Sequence, residues 1–277
     1  MKISVIVPYK EEGELLNRCL ESIKRSAGRV VEHECEIIAV HGLYGVSQAR
    51  NEGLARASGD YVAWVDSDDE VLEEWFEKIC DAIEDGVDVV VFGAVVHAKK
   101  KHFEMRYSKT RMSCEARCLL SHSLRDIHTS AWLWNKVFKR ELFEGLSFKG
   151  RTQEDFRILP FVLMRAKKAV SLPDILYVYN RPEGSLSTHA NIESSEEGLL
   201  LAIDETTSEI PNEMISIWNE GVVIRIADFL RNGSDNKRLR RFLRKNLHLV
   251  LFDFEQSLRI KVKCLIEALK FSSKGDK

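Results

Sequence analysis

The chain has 277 residues, of which 44% are hydrophobic and 30% are charged, and its formal net charge is −2. This balance is typical of a soluble globular protein with enough residues for one large domain or two modest ones. No apolar run approaches the ~18 residues of a membrane-spanning helix, and the chain starts with a β-like run rather than a signal peptide, so the cytoplasm is the expected location.

Short apolar runs alternate with segments of helical spacing through the first third of the chain. Strands are predicted over residues 3–7, 36–40, 61–65 and 87–92. A helix follows each of the first three strands; the second opens near Gly45 with Ser47 as its expected N-cap, and the third covers residues 71–84. This alternation predicts an α/β fold with a mostly parallel sheet covered by helices on both faces.

The rhythm changes after Gly93. The later predictions are a strand or exposed loop over 97–111, helices over 115–124 and 155–165 with a bend or break near Pro160, and two short strands around Pro173. From about residue 193 the chain shows only helical spacing. We therefore expect an α/β domain over residues 1–190 and a helical region with a basic tail over residues 191–277.

Three acids follow the third predicted strand, at Asp66, Asp68 and Asp69. Ligands gather at the carboxyl ends of strands in such sheets, and carboxylate oxygens suit Mg²⁺ or Mn²⁺ held against a phosphate. The alternative is an acidic N-terminus of the next helix, which the helix dipole favours. These residues alone do not separate the two interpretations.

Two common phosphate-binding signatures are absent from the sequence. There is no G-x-x-x-x-G-K-[ST] loop and no G-x-G-x-x-G after the first strand. A P-loop NTPase or a dinucleotide oxidoreductase is therefore not expected.

The six cysteines include no C-x-x-C pair and are expected to be reduced. Cys114, Cys118 and His122 are spaced as on one helix face, with His128 beyond them, and this set could bind Zn²⁺. Structural zinc ligands usually come in close pairs from separate turns, so core packing is the favoured interpretation.

Several motifs occur in an order that resembles family-2 glycosyltransferases. They are residues 3–11 (ISVIVPYKE), 45–54 (GVSQARNEGL), 59–69 (GDYVAWVDSDD), 134–140 (WNKVFKR), 154–156 (EDF) and 180–189 (NRPEGSLSTH). The resemblance covers roughly residues 1–190 and implies the GT-A fold. It also implies a polysaccharide-synthesising enzyme that moves a sugar, with inversion, from a nucleotide-diphosphate sugar to a saccharide or lipid-linked glycan acceptor.

The D-x-D segment of that family implies a metal site. By this resemblance Asp68 is the main ligand of Mn²⁺ or Mg²⁺, and Asp66 contacts the metal or the ribose. His189 is a further candidate metal ligand, and a solvated loop residue is the alternative. Asp69 either supports the site or caps the helix expected to follow.

The remaining motifs imply the catalytic and binding residues. Asp155 would be the general base and Glu154 would orient the acceptor or the sugar; an ordinary acid in a first helical turn is the alternative for Asp155. The expected nucleotide-sugar contacts are Pro8, Tyr9, Glu11, His41, Arg50 and Asp66, with a solvated position as the alternative for Arg50. The expected acceptor side is Trp134, Asn135 and Lys136; Trp132 and Trp134 could stack on a sugar, although Trp beside a helix is more often core.

The turn after the second strand departs from the family pattern. The family has D-D-G-S-x-D there, and its first Asp recognises the base or ribose, whereas residues 41–44 (HGLY) lead directly into the next helix. A helix and a strand of the family sheet are expected to be missing, and His41 or Tyr44 would replace the lost contacts. A degenerate glycosyltransferase-like binding protein and a nucleotidyltransferase are therefore alternatives. The retained Asp66, Asp68 and Asp155 favour the enzyme, and no Gly-rich loop supports the nucleotidyltransferase.

Charge is unevenly distributed along the chain. Residues 237–277 hold twelve Lys or Arg and four Asp or Glu, a formal charge of +8, which leaves −10 on residues 1–236. A basic amphipathic helix can lie on an anionic membrane, so one interpretation is a peripheral contact with the inner face of the membrane. The other is a helical tail packed on the catalytic body with solvated cations. Nucleic acid is not expected, since no binding motif accompanies the charge.

Overall fold

A computed structural model describes residues 1–83, 86–98, 101–115, 119, 132–181 and 192–270. These residues fall into two compact units. The first takes the described residues up to 119 together with 132–181, and the second takes residues 192–270. The predicted boundary near residue 190 lies outside the described residues and stays a prediction.

The first unit is built on one mixed sheet. Its strands are β1 (Lys2–Tyr9), β2 (Glu34–His41), β3 (Tyr61–Trp64), β4 (Glu70–Val71), β5 (Val89–Ala98), β6 (Lys101–Met105), β7 (Met112–Glu115), β8 (Lys136–Lys139) and β9 (Lys168–Arg181). The order along the sheet is β2-β1-β3-β8-β5-β9-β4, with β6 on β5 and β7 on β9. Strands β1, β2, β3, β5 and β9 run in one direction, and β8 runs against its neighbours β3 and β5. The predicted mostly parallel α/β sheet is confirmed.

Helices cover this sheet on both faces. They are α1 (Glu14–Ala27), α2 (Val46–Arg56), α3 (Trp75–Ile83) and α4 (Glu154–Arg165). Ile3, Val5 and Val7 of β1 share one buried cluster with α1 and α3. The other face of β1 lies so close to α2 that a Cβ on Gly53 would stand 2.3 Å from the Ile6 side chain. Gly53 therefore lets α2, which carries Arg50, pack directly on β1.

Several predicted elements differ from those observed. Val71 belongs to β4 rather than to a helix, because its backbone pairs with Tyr177 of β9. The two short strands around Pro173 form the single strand β9, and the register shift between β5 and β9 lies near this proline, which has no N–H to donate. Helix α4 runs through Pro160 without a break.

The Cys/His set predicted on one helix face is not assembled in that way. Cys114 lies in strand β7, paired with Ala169 of β9. Cys118, His122 and His128 lie outside the described residues.

The second unit is helical throughout its described residues. Its helices are α5 (Ile192–Glu209), α6 (Ile215–Arg231), α7 (Lys237–Leu251) and α8 (Leu258–Leu269). Asn236 caps α7 by accepting hydrogen bonds from the backbone N–H groups of Arg238 and Leu239, and Ser257 caps α8 through Ile260.

No helix within the described part of the chain is both long and apolar enough to cross a membrane.

Candidate active site

The sheet brings the predicted site segments to one edge. The carboxyl ends of the parallel strands β1, β2 and β3 lie there, followed by Lys10, Gly42 and the 66–69 acids. Because β8 runs in the opposite direction, its first residue, Lys136, lies at the same edge. This topology explains why motifs far apart in sequence meet in one place.

A buried arginine joins the two acidic motifs. Arg50 is only 4% exposed, and its Nη1 donates to Glu154 Oε1 over 2.6 Å and to Asp155 Oδ1. Its Nη2 lies 3.5 Å from Asp66 Oδ1. The guanidinium also stands over the Phe148 ring, with Cζ 5.7 Å from the ring centroid. One cation therefore holds acids from the end of β3 and from the start of α4.

Burial and charge act in opposite senses on this cluster. Burial raises the pKa of Asp155 to about 7; Arg50 opposes the rise, and the charges of Glu154 and Asp66 add to it. Burial alone would lower the pKa of Arg50, but the charges of Asp155, Glu154 and Asp66 raise it, so the guanidinium stays charged. A carboxyl with a pKa near neutrality suits a general base.

Hydrogen bonds fix the loop that delivers Glu154 and Asp155. The Asn51 side chain donates to Phe148 O over 2.8 Å and accepts from Phe148 N over 2.7 Å. Gln153, directly before the two acids, has a left-handed backbone with φ of 60°. Such a conformation is uncommon outside glycine and is often found at functional sites.

Ser47 does not cap α2 as predicted. The residue before the helix is Gly45, which makes no side-chain cap and has φ of 108°. Ser47 lies in the first turn, and its Oγ donates to Gly150 O over 2.6 Å. It therefore helps Asn51 to tie α2 to the loop before α4.

Asp69 is a buried structural acid rather than a helix cap. It is 0% exposed, and its carboxylate accepts from Tyr177 OH over 2.8 Å and from Asn180 N over 2.7 Å. Tyr177 OH in turn accepts from Asp66 N over 3.1 Å, and Asn180 Nδ2 donates to Asp68 O over 2.9 Å. Strand β9 thus sets the course of the whole acidic turn.

The sequence indicated no role for Tyr177, and Asn180 was noted only as the first residue of the motif over residues 180–189. The signal for Asn180 was its place at the start of that motif. Tyr177 had no signal beyond its position in a predicted strand.

Asp66 and Asp68 have the chemistry that a divalent cation needs. Both carboxylates are only partly buried, and burial raises the pKa of each, so a nearby cation would stabilise their charged forms. Among the described residues no group of three or more His, Cys, Asp or Glu is placed to hold a metal. Mg²⁺ often takes only one or two protein carboxylates, with substrate phosphates completing the shell, so the pair fits such a site. His189 lies outside the described residues.

The three residues predicted on the acceptor side are buried. Lys136 is 0% exposed, and its Nζ donates to Trp132 O over 2.9 Å and to Asn135 Oδ1 over 2.8 Å. Burial lowers its pKa to about 7, against the opposing charge of Asp155. Trp134 is also buried and stacks on Trp132 and on Tyr177, with ring centroids 5.0 and 4.7 Å apart. Their direct contact with an acceptor stays a prediction; in this structure the three side chains are packed in the core beside the site.

The predicted contact of Arg50 with the nucleotide sugar stays a prediction. The solvated alternative does not hold, because Arg50 is buried and lies beside three carboxylates.

The segments at the ends of β1 and β2, which are expected to contact the nucleotide, are more exposed than the residues around Lys136. Pro8 is buried and Tyr9 half-buried at the end of β1, and Glu11 is exposed beyond them. The exposed His41 lies with its ring centroid 5.4 Å from that of Tyr9, and its Nε2 is 2.9 Å from Lys10 O. Tyr44 is also exposed. Strand β2 is the edge of the sheet, and α2 follows it after four residues, as expected for a shortened nucleotide-binding half.

Comparison with known proteins agrees with these motifs. The family model "Glycosyl transferase family 2" matches residues 32–147. The glycosyltransferase GlyG of Streptococcus pneumoniae serotype 4 is 24% identical over 217 residues, which cover 66% of this chain and 72% of GlyG. For two further curated glycosyltransferases the matched region spans only 34% and 62% of their length.

Two solved structures share the fold. S. aureus TarS residues 1–349, in complex with UDP-GlcNAc, has a TM-score of 0.59 and 15% identity, over 97% of this chain and 89% of that one. The mannosyltransferase PcManGT from Pyrobaculum calidifontis, in complex with GDP-Man and Mn²⁺, has a TM-score of 0.53 and 16% identity, over 96% and 86%. The family model matches less than half of the chain, and with the curated relatives it makes the chain similar to family-2 glycosyltransferases; the shared structures show that its fold is GT-A.

Proposed function

We propose that the protein is a metal-dependent, inverting glycosyltransferase that moves one sugar from a nucleotide-diphosphate sugar to a hydroxyl of a saccharide or lipid-linked glycan. The observation that carries the proposal is the Arg50 cluster. It holds Asp66, at the end of the D-x-D strand, and Asp155, at the start of α4, on one guanidinium. Donor-binding and acceptor-activating groups are thereby fixed relative to each other before substrate arrives.

The donor would bind at the carboxyl ends of β1, β2 and β3. Asp68 and Asp66 would hold Mn²⁺ or Mg²⁺, which would neutralise the departing diphosphate as a Lewis acid. Pro8, Tyr9 and Glu11 would line the nucleotide side, and His41 would contact the base in place of the missing Asp. His189 stays a proposed further ligand.

The acceptor would be activated by Asp155. Its carboxylate takes the proton of the acceptor hydroxyl as that oxygen attacks the anomeric carbon. The new carbon–oxygen bond forms while the bond to the diphosphate oxygen breaks, and the diphosphate leaves with the bonding electrons. Attack from the face opposite the leaving group inverts the anomeric configuration. Glu154, held by the same guanidinium, would orient the acceptor or the sugar.

The class of donor and the place of the reaction are also proposals. TarS and PcManGT are described in complex with UDP-GlcNAc and GDP-Man, so both nucleotides are reasonable first candidates. A lipid-linked acceptor would place the enzyme in the cytoplasm, at the inner face of a membrane.

Turnover of nucleotide sugars by the purified full chain tests the proposal. The protein is mixed with UDP- and GDP-sugars, with Mn²⁺, Mg²⁺ or EDTA, and release of the nucleoside diphosphate is followed with and without saccharide acceptors. We expect release with at least one donor, dependent on the metal and abolished by Asp68→Asn.

The matched control is Asp81→Asn, which removes an acid from α3 that has no part in the proposed site. Release that persists unchanged in EDTA would contradict the metal dependence. A product that retains the anomeric configuration of the donor would contradict the single displacement.

A further inference from the structure

Helix α8 exposes an apolar stripe. Five of its large apolar residues are exposed, at Leu258, Val262, Leu265, Ile266 and Leu269. They recur at i, i+4, i+7, i+8 and i+11, so they share one face of the helix. The opposite face is buried through Cys264, Glu267 and Ala268, so α8 packs on its own unit by one side only.

Two aromatic residues extend this surface into the loop before α8. Phe252 is 76% exposed and Phe254 is 98% exposed. Exposed phenylalanines are costly in water, and contiguous exposed apolar patches on soluble proteins usually mark interaction sites. We call α8 and this loop, residues 252–269, the apolar ridge.

The ridge belongs to a well-ordered helical hairpin rather than to a loose tail. Arg240 of α7 donates to the backbone oxygens of Glu267 and Lys270 over 3.0 and 3.2 Å. Arg244 donates to Ala268 O over 2.9 Å and to Lys270 O over 3.1 Å. These arginines satisfy the last carbonyls of α8, so the helix is held with its apolar stripe facing outward.

Cations outnumber acids in α7 and the apolar ridge: residues 237–269 hold nine Lys or Arg and three Asp or Glu, the acids being Asp253, Glu255 and Glu267 of the ridge. Arg259 is exposed and Lys261 half-buried on α8 itself. The neighbouring helix α7 has no Asp or Glu and exposes Lys237, Arg241 and Lys245. An apolar face flanked by Lys and Arg suits the boundary between lipid headgroups and acyl chains, with the cations on anionic headgroups.

We propose that the apolar ridge and the cations of α7 form the surface by which this protein binds an anionic bilayer. The exposed leucines and phenylalanines would enter the headgroup region while Arg241, Lys245 and Arg259 contact lipid phosphates. The positive charge of α7 favours an anionic partner over a second copy of this chain, whose own α7 would bring the same cations to the contact. None of the proposed catalytic residues belongs to this surface, so its test does not depend on the proposed reaction.

Flotation of the full chain with lipid vesicles tests this surface. The vesicles contain phosphatidylcholine alone or phosphatidylcholine mixed with phosphatidylglycerol, at low and at high salt. We expect binding to the anionic vesicles only, weakened by salt. The double variant Leu258→Gln with Leu265→Gln should bind at least about tenfold more weakly, because each leucine loses its apolar burial in the lipid.

Controls separate this proposal from unfolding and from self-association. Leu201→Gln removes an exposed leucine of α5 and should bind like the parent protein. All variants should keep the parent's circular dichroism and melting temperature, because the changed residues are exposed. Arg241→Gln with Lys245→Gln should weaken binding and remove most of its salt dependence.

Two results would overturn the proposal. One is the absence of binding to anionic vesicles at low salt. The other is that the parent protein forms an oligomer, that the double leucine variant does not, and that both bind the vesicles equally. This result would show that the ridge binds a second copy of this chain.

Discussion

Two regions at the same edge of the sheet are built in opposite ways. Around the buried Arg50 the acids are partly buried, paired with its guanidinium and held in place by hydrogen bonds from α2 and β9. At the end of β2, by contrast, His41 and Tyr44 are exposed, and the His41 ring lies with Nε2 2.9 Å from Lys10 O. The groups proposed for bond making are thus preorganised before substrate binds, whereas the groups proposed for base recognition are not.

This contrast has an energetic basis. A general base must stand within hydrogen-bond reach of the proton it removes, so a displacement of even an ångström is costly. Recognition of a base edge or ring by an exposed side chain is worth far less and tolerates motion. Substitutions in the buried cluster should therefore change the rate or the stability, and substitutions at the edge should change donor affinity.

The largest effect is expected for Asp155→Asn. The amide cannot take the acceptor proton, and general-base catalysis contributes about 10²- to 10⁴-fold, so kcat should fall by roughly that factor. Steady-state kinetics with the donor found in the panel measures the loss. Glu52→Gln, an exposed acid of α2 paired with Arg56, is the matched control and should keep parental kcat. An Asp155→Asn enzyme with parental kcat would remove Asp155 from the mechanism.

Arg50→Met should cost stability as well as activity. Its removal leaves three carboxylates without their shared cation, and breaking a buried ion pair typically costs about 3–5 kcal/mol. Urea unfolding followed by circular dichroism measures the change. Arg56→Met, at the last residue of α2, removes an exposed pair and should cost less than about 1 kcal/mol. Equal losses in the two variants would show that Arg50 does not hold the cluster.

The pH profile tests the same cluster more finely. Burial raises the pKa of Asp155 to about 7, and Asp155 acts as a base only when deprotonated, so kcat/KM should rise with pH and level off above about pH 7. The charge of Glu154 contributes to the raised pKa. Glu154→Gln should therefore move the rising limb to lower pH, whatever its effect on the maximum rate. Glu52→Gln should leave the limb in place, and a limb that moves to higher pH in Glu154→Gln would contradict the assignment.

Much of the frame was predictable from sequence because short apolar runs report buried strands directly. β1, β2, β3 and the start of β5 lie where the pattern placed them. The same alternation of strands and helices predicted that the site lies at the carboxyl ends of the parallel strands. The resemblance then selected Asp66, Asp68 and Asp155 as candidates, and the structure brings Asp66 and Asp155 onto one guanidinium.

What could not be predicted depends on contacts between distant segments. Arg50 had a solvated position as an equal alternative, because its burial arises from acids that follow it by about a hundred residues. For Asp69 the sequence left open support of the site or a helix cap, because its hydrogen bonds with Tyr177 and Asn180 depend on the pairing of β4 with β9. Local pattern carries no information on such partners.

The smallest effect is expected at the open edge, with His41→Ala. If His41 contacts the nucleotide base, its loss should raise the donor KM a few-fold, roughly what one exposed hydrogen bond provides, and leave kcat unchanged. Competition between UDP and GDP for the site, measured in parent and variant, shows whether base preference changes with it. His248→Ala, an exposed histidine of α7, is the matched control and should change neither constant. A fall in kcat without a change in KM would contradict this prediction, because His41 would then act in the reaction as the buried cluster does. A change confined to KM would confirm that base recognition at this edge relies on exposed side chains.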